Sequence, residues 1–216
     1  MSMRRRTLVI AGSAAAVVLV GTVVVGVGLS RSDPALPTMT ASPAAADSSC
    51  GLPGTVDETT AGATTVTWTD VAGRPLPVSA TDGPGSRDEE GPWSCYSRTR
   101  SGAVLAGYVI PLRIGLADDR RAVIQQQTVP GPGQEVLLSS VSNSSEIVTA
   151  RGFDIAAYSA DASTIRYRLS TANGEYTCTT DVRWFEGDWR LVVGDDGSTS
   201  SGCVRGVPDE FTPWGP

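Results

Sequence analysis

The sequence contains no histidine and no lysine; all 17 basic residues are arginine. Without histidine the chain cannot supply a Ser-His-Asp triad, a Cys-His pair, a His-ligated zinc or an imidazole general base. Aromatic residues are sparse at 6%, and only 19% of the 216 residues are charged. The four cysteines include no C-x-x-C pair, the spacing expected of a structural zinc site. Gly (24) and Pro (14) are frequent, but below the level that marks wholesale disorder. The length suits one domain of ordinary size plus appendages.

The apolar content is concentrated at the start. Arg4, Arg5 and Arg6 precede an uncharged run, Leu8–Leu29. As a helix it would span about 33 Å, close to the hydrocarbon thickness of a bilayer. The arginines before it put residues 1–7 in the cytoplasm and everything after residue 30 outside. A cleaved signal peptide would have a shorter apolar core. A lipoprotein would need a small-residue box before Cys50, where Asp47-Ser48-Ser49 stands instead. The reading is therefore an uncleaved anchor in the cell membrane. Beyond residue 31, 23 acids face 13 arginines, a net charge of −10. Such an exterior speaks against nucleic acid as a partner.

Cys50, Cys95, Cys178 and Cys203 all fall on the outer side. An even number there implies two disulfides, with three possible connectivities. Pairing of neighbours, Cys50–Cys95 and Cys178–Cys203, is favoured.

Residues 30–49, rich in Pro, Ala, Ser and Thr, read as a tether. Residues 50–100 form a Gly/Pro-rich lead-in with a short strand at Thr64–Trp68, and Trp68 and Trp93 plug it onto the main domain. Asp88-Glu89-Glu90 reads as a solvated loop, with a calcium loop as the sharper alternative. Asp195-Asp196 before Gly197 reads as a turn. The domain occupies 101–216. A helix starts at Ser101 or Gly102 and should kink or stop near Pro111. A second opens at Asp118-Asp119 and a third covers Glu135–Ser142.

Four strands follow. Centring a two-residue turn on Asn173-Gly174 sets Leu169 opposite Cys178, Tyr167 opposite Thr180 and Ile165 opposite Val182. A second turn at Glu186-Gly187 sets Trp184 opposite Trp189, Val182 opposite Leu191 and Thr180 opposite Val193. Both turns agree on one apolar face. The fourth strand, Gly152–Ser159, joins through a three-residue loop at Ala160–Ala162, with Phe153, Ile155 and Ala157 on that face. Tyr158, Tyr167, Trp184 and Trp189 read as core. The other face carries Arg166, Arg168, Asp181, Arg183 and Arg190. This register makes Arg166–Asp181 a cross-strand ion pair and sets Arg183 against Arg190. It is either a solvated face or a guanidinium patch for acidic groups of a partner.

Helices followed by an antiparallel meander imply an α+β domain, with N-terminal helices on a curved four-stranded sheet, the order of the NTF2-like cone. Gly152-Phe153, Tyr158, Trp184-Phe185-Glu186-Gly187-Asp188-Trp189-Arg190-Leu191 and the final Pro213-Trp214-Gly215-Pro216 are more specific. With Leu76-Pro77-Val78-Ser79, Gly83-Pro84 and Ser101-Gly102-Ala103-Val104, the chain resembles membrane proteins of high-GC Gram-positive integrative and conjugative elements. The resemblance implies a TcpC-like accessory scaffold of a conjugation or type IV secretion apparatus. Its partners would be proteins of an envelope complex, with homo-oligomers as a further expectation. It implies no catalytic residues, no cofactor and no metal, so no enzyme is expected. The alternative is an extracytoplasmic small-molecule or cell-wall-binding module with an NTF2-like pocket.

Overall fold

The computed structural model describes residues 50–52, 65–140, 148–206 and 210–216. The cytoplasmic start, the Leu8–Leu29 run and the 30–49 tether lie outside the described residues. Among the described residues no helix is long and apolar enough to cross a membrane.

Among the described residues the fold is α+β: three helices and a mostly antiparallel six-stranded sheet, with two small ribbons. The first ribbon pairs β1 (Thr67–Val71) with β2 (Arg74–Val78). Ala72 and Gly73 both take positive φ, 52° and 78°, the geometry whose twist matches a two-residue hairpin. The second pairs β3 (Ser86–Arg87) with β4 (Trp93–Ser94).

Helix α1 (Arg100–Leu116) is capped by Thr99, whose hydroxyl accepts from Gly102 N at 3.0 Å. Nearly every side chain of its first two and a half turns is buried. The helix does not stop at Pro111 as expected. Beyond it, Arg113 and Ile114 are buried at 1% and 6% exposure, and this tertiary anchoring outweighs the donor that proline removes. Helix α2 (Arg120–Gln127) is capped by Asp119, which accepts from Ala122 N at 2.9 Å. Helix α3 (Pro132–Ser140) opens on proline, where the missing N–H costs nothing.

The sheet runs β10-β5-β6-β7-β8, with β9 also on β7. Strands β5 (Thr149–Tyr158), β6 (Ala162–Thr171), β7 (Gly174–Phe185) and β8 (Asp188–Leu191) are the four expected. The short strands β9 (Gly202–Arg205) and β10 (Thr212–Pro213) extend it. Long β7 gives the outer half of its ladder to β8 and the inner half to β9.

The Glu186-Gly187 hairpin has the expected register, with Trp184 opposite Trp189 and Val182 opposite Leu191. Its ladder ends at Leu191, short of the expected Thr180–Val193 pair. The β6–β7 register differs from expectation by two residues: Tyr167 pairs with Cys178 and Ile165 with Thr180. Ala172 and Asn173 form the turn, and Gly174 alone takes positive φ, 120°. A glycine following the turn does the work the sequence suggested for its centre. A shift of two preserves the faces, so Ile165, Tyr167, Cys178, Thr180 and Val182 still share one side.

The β5–β6 loop is also corrected. Ser159 N donates to Ala162 O at 2.8 Å, leaving Ala160 and Asp161 as a two-residue loop. A bulge between Ile155 and Ala157 then restores Phe153 and Ile155 to the apolar face. Tyr158, not Ala157, accompanies them, its ring 6.2 Å from that of Trp189.

Helix α1 packs across β5–β8, and one core joins it to the sheet and to Leu76, Trp93 and Tyr96 of the lead-in. Trp214 closes the core, 5.0 Å from the Trp68 ring and 5.3 Å from the Tyr108 ring. Both disulfides join neighbouring cysteines, Cys50–Cys95 and Cys178–Cys203. Cys178 and Cys203 are directly opposed on β7 and β9, closing a 25-residue separation. Loop entropy then predicts that the double variant Cys178→Ala/Cys203→Ala loses on the order of 3 kcal/mol. Denaturant unfolding with and without reductant checks this; a reductant effect that persists unchanged in the variant would assign the loss to Cys50–Cys95 instead.

Candidate functional site

The face of the sheet opposite α1 is built by alternation along β5–β8 and is largely polar, with the Phe185 ring as an apolar member. Three of its four arginines are engaged within the sheet, though not as the register reading had it. Arg166 lies opposite Thr179 and does not meet Asp181. It faces Asp154 on β5, whose Oδ2 accepts from both its Nε, at 2.8 Å, and its Nη2. Asp181 instead lies opposite Thr164, whose hydroxyl donates to it at 2.5 Å. Arg168 pairs with Glu175 at 2.8 Å, a diagonal neighbour across the hairpin. Arg183 and Arg190 are opposed as expected, but Arg190 turns away. Its guanidinium meets Glu186 at 2.6 Å and lies 4.8 Å from the Phe185 ring centre. Three arginines thus pair with Asp154, Glu175 and Glu186, while Asp181 is held by Thr164. Arg183 is exposed and has no acidic partner among the described residues.

Several buried polar groups escaped the sequence reading. Asp82 is fully buried in a cage of hydroxyls. Its Oδ1 accepts from Ser97 and Thr99, both at 3.0 Å, and its Oδ2 accepts from Thr81 at 2.7 Å. The cage ties the 79–82 turn to the start of α1. Gln127 is 2% exposed; its Oε1 accepts from Trp93 N at 3.1 Å and its Nε2 donates to Trp93 O. Asp188 accepts from three backbone N–H groups, and Arg113 donates to three backbone carbonyls. Apart from Thr81, next to Asp82, each of these partners is remote in sequence or is backbone, so residue type alone carries little signal for them.

The acid run Asp88–Glu90 is the loop that Arg113 holds through the carbonyls of Asp88 and Glu89. Asp195-Asp196 stands in a turn closed by Gly194 N to Ser198 O at 2.9 Å. Hydrogen bonds from Ser198 hold the Asp196 carboxyl below its ordinary value. Tyr167 and Trp189 are buried at 2% and 0%, as core. Burial pushes the phenol of Tyr167 well up, so it stays a neutral donor, to Val104 O at 2.7 Å.

On the α1 side of the sheet lies a cavity of about 300 Å³ between the helix and β6–β7. The spacing Gly107, Pro111, Gly115 puts three small residues on one helix face along it. That pattern was readable in the sequence and went unread.

No curated protein and no solved structure matches the chain. Residues 30–213 match a family described as a domain of unknown function, DUF8175. The match covers well over half of the 216 residues, including nearly all of the described ones, so the chain belongs to this DUF8175 family.

Proposed function

We propose that the chain is a single-pass membrane protein whose domain stands outside the cell and docks a protein partner. In this reading Leu8–Leu29 is the anchor, the domain is an NTF2-like cone, and the complex is a conjugation or type IV secretion apparatus. The role is a scaffold's, with no catalysis assigned. One observation carries it: among the described residues, the ion-paired sheet face opposite α1 leaves Arg183 exposed without an acid of its own. An exposed guanidinium on a rigid strand suits a carboxylate presented by an acidic protein segment. The disulfides fit an oxidising exterior.

The test is affinity capture of the tagged full-length protein from native membranes after mild cross-linking, read by mass spectrometry. Conjugative ATPase or channel subunits are expected, and Arg183→Glu should lower their recovery by at least about tenfold. Because Arg183 is exposed and has no ion pair among the described residues, the variant should unfold with the parent. Recovery of the bait alone, of bait multimers alone, or of the same subunits equally with Arg183→Glu would overturn the reading.

A further inference from the structure

Strand β9 is fixed to the sheet by little besides one covalent bond. All four of its residues are exposed, and Val204 is 64% exposed. None of its side chains belongs to the core, so apolar burial does little to keep it on β7. What remains is a short ladder with open margins. Ser201 N donates to Thr179 O at 2.9 Å and Gly206 N to Glu175 O at 3.0 Å. Thr177 Oγ1 donates to Gly206 O at 2.9 Å, and Arg205 reaches Asn173 O at 3.1 Å. Water-accessible bonds without buried neighbours are the first to open in a folded protein. The Cys178–Cys203 disulfide stands among them, between directly opposed residues.

The two disulfides differ in what their cleavage leaves behind. Each has one exposed half, Cys50 or Cys203, where an incoming thiolate reaches sulfur. The inner sulfur then departs as a thiolate, and faster where that charge is tolerated. Cys95 tolerates it poorly. It is 9% exposed, and its N–H is held by the Asp188 carboxylate at 2.7 Å. A thiolate there would be buried beside a negative charge. Cys178 is half-buried. It shares the α1-side cavity with the hydroxyl side chains Thr180, Thr199 and Ser200, a setting with donors for such a charge. Ser200 Oγ already lies 3.8 Å from Cys203 Sγ. Arg205, two residues along β9, projects to the same face as Cys203 and adds a positive charge that favours an incoming thiolate.

We propose that Cys178–Cys203 is a redox clasp, opened by a dithiol reductant, that fixes or frees the segment 199–206. One thiolate of the dithiol bonds to Cys203 Sγ; the Cys178–Cys203 bond breaks, and Cys178 leaves as a thiolate and takes up a proton. The second thiol, deprotonated, attacks the mixed disulfide at the reductant's own sulfur. The dithiol ends as an internal disulfide and Cys203 as a thiol, so two electrons and two protons pass to the protein. Freed, the segment unpairs Tyr176–Thr179 on β7 and withdraws Thr199, Ser200 and Cys203 from the cavity wall. The core contains none of these segment residues, so the domain stays folded. The clasp is independent of the docking reading.

Dithiothreitol added in steps to the oxidised full-length protein tests it, with freed thiols alkylated and their peptides read by mass spectrometry. Cys178 and Cys203 are expected to be alkylated together, at least about tenfold faster than Cys50 and Cys95. Amide exchange in 199–206 should then rise about tenfold or more, with α1, β5 and β6 unchanged. The variant Cys178→Ser/Cys203→Ser should show that fast exchange without reductant, and dithiothreitol should add nothing to it in this segment. Opening of Cys50–Cys95 first, or at the same rate, would overturn the clasp. So would unchanged exchange in 199–206 after reduction, or a loss of protection throughout the domain as soon as these two thiols appear.

Discussion

Replacing Asp188 with alanine is expected to cost about 3–5 kcal/mol, a large part of a stability of about 5–15 kcal/mol for an ordinary domain. The carboxylate opens β8 immediately after the Glu186-Gly187 turn. Its Oδ2 accepts from Cys95 N at 2.7 Å. Its Oδ1 accepts from Tyr96 N at 2.8 Å and from Trp189 N at 2.9 Å. Two of these donors lie more than ninety residues away in the chain, so one side chain joins the end of the lead-in to the last hairpin. It also supports Cys95 at a positive φ of 78°, an uncommon backbone state for a residue with a side chain. Alanine leaves three backbone donors without an acceptor, and an unmade buried hydrogen bond costs more than a made one contributes. Denaturant unfolding measures the loss; a cost below about 1 kcal/mol would show that water replaces the carboxylate.

The same residue has a pH signature. Burial raises the Asp188 carboxyl above its ordinary value, against the three N–H groups that lower it. A raised folded pKa adds stability that is fully present below the unfolded carboxylate range. That contribution is lost as pH rises through the folded value. Asp188→Asn removes it. The wild type should therefore gain on Asp188→Asn as pH falls from about 7 to about 4. Comparing the two unfolding curves cancels the other acids, and a difference that is flat or narrows would refute the shift.

What the sequence made legible was local. Glu186-Gly187 is a two-residue turn in which both residues take positive φ, 50° and 83°, so turn chemistry and strand alternation pointed to the same register. Asn173-Gly174 has the same look but a different geometry, because only its glycine adopts positive φ. The faces survived because the error was even, whereas the ion pairs did not. Arg166 meets Asp154 on the other neighbouring strand, and no composition signal says which neighbour wins. The bulge after Ile155 was likewise silent, since an inserted residue leaves no mark in the pattern. The arginine face was legible as a face, and its near neutrality was not. The cavity needed only the spacing of Gly107, Pro111 and Gly115, read as room rather than as helix weakness.

Arg113 shows how far a helix residue can reach beyond such patterns, and its replacement is the second large effect expected. It is 1% exposed, with no ion pair among the described residues. Its Nη2 donates to Gly91 O at 2.5 Å, to Glu89 O at 3.0 Å and to Asp88 O at 3.1 Å. The guanidinium carbon lies 5.2 Å from the Trp93 ring centre. Burial lowers its pKa, with Asp88 opposing, and carbonyl dipoles together with the indole face stand in for a counter-ion. Alanine removes the donors and opens a cavity beneath Trp93, so Arg113→Ala should cost about 3–5 kcal/mol. Methionine keeps much of the stem and avoids burying a charge, which by itself is favourable. Arg113→Met should therefore cost only about 1–3 kcal/mol, with faster amide exchange confined to residues 88–91. If the two variants prove equally unstable, the donors matter and the packing does not. If Arg113→Met leaves exchange in that loop unchanged, the three carbonyls are not what holds it.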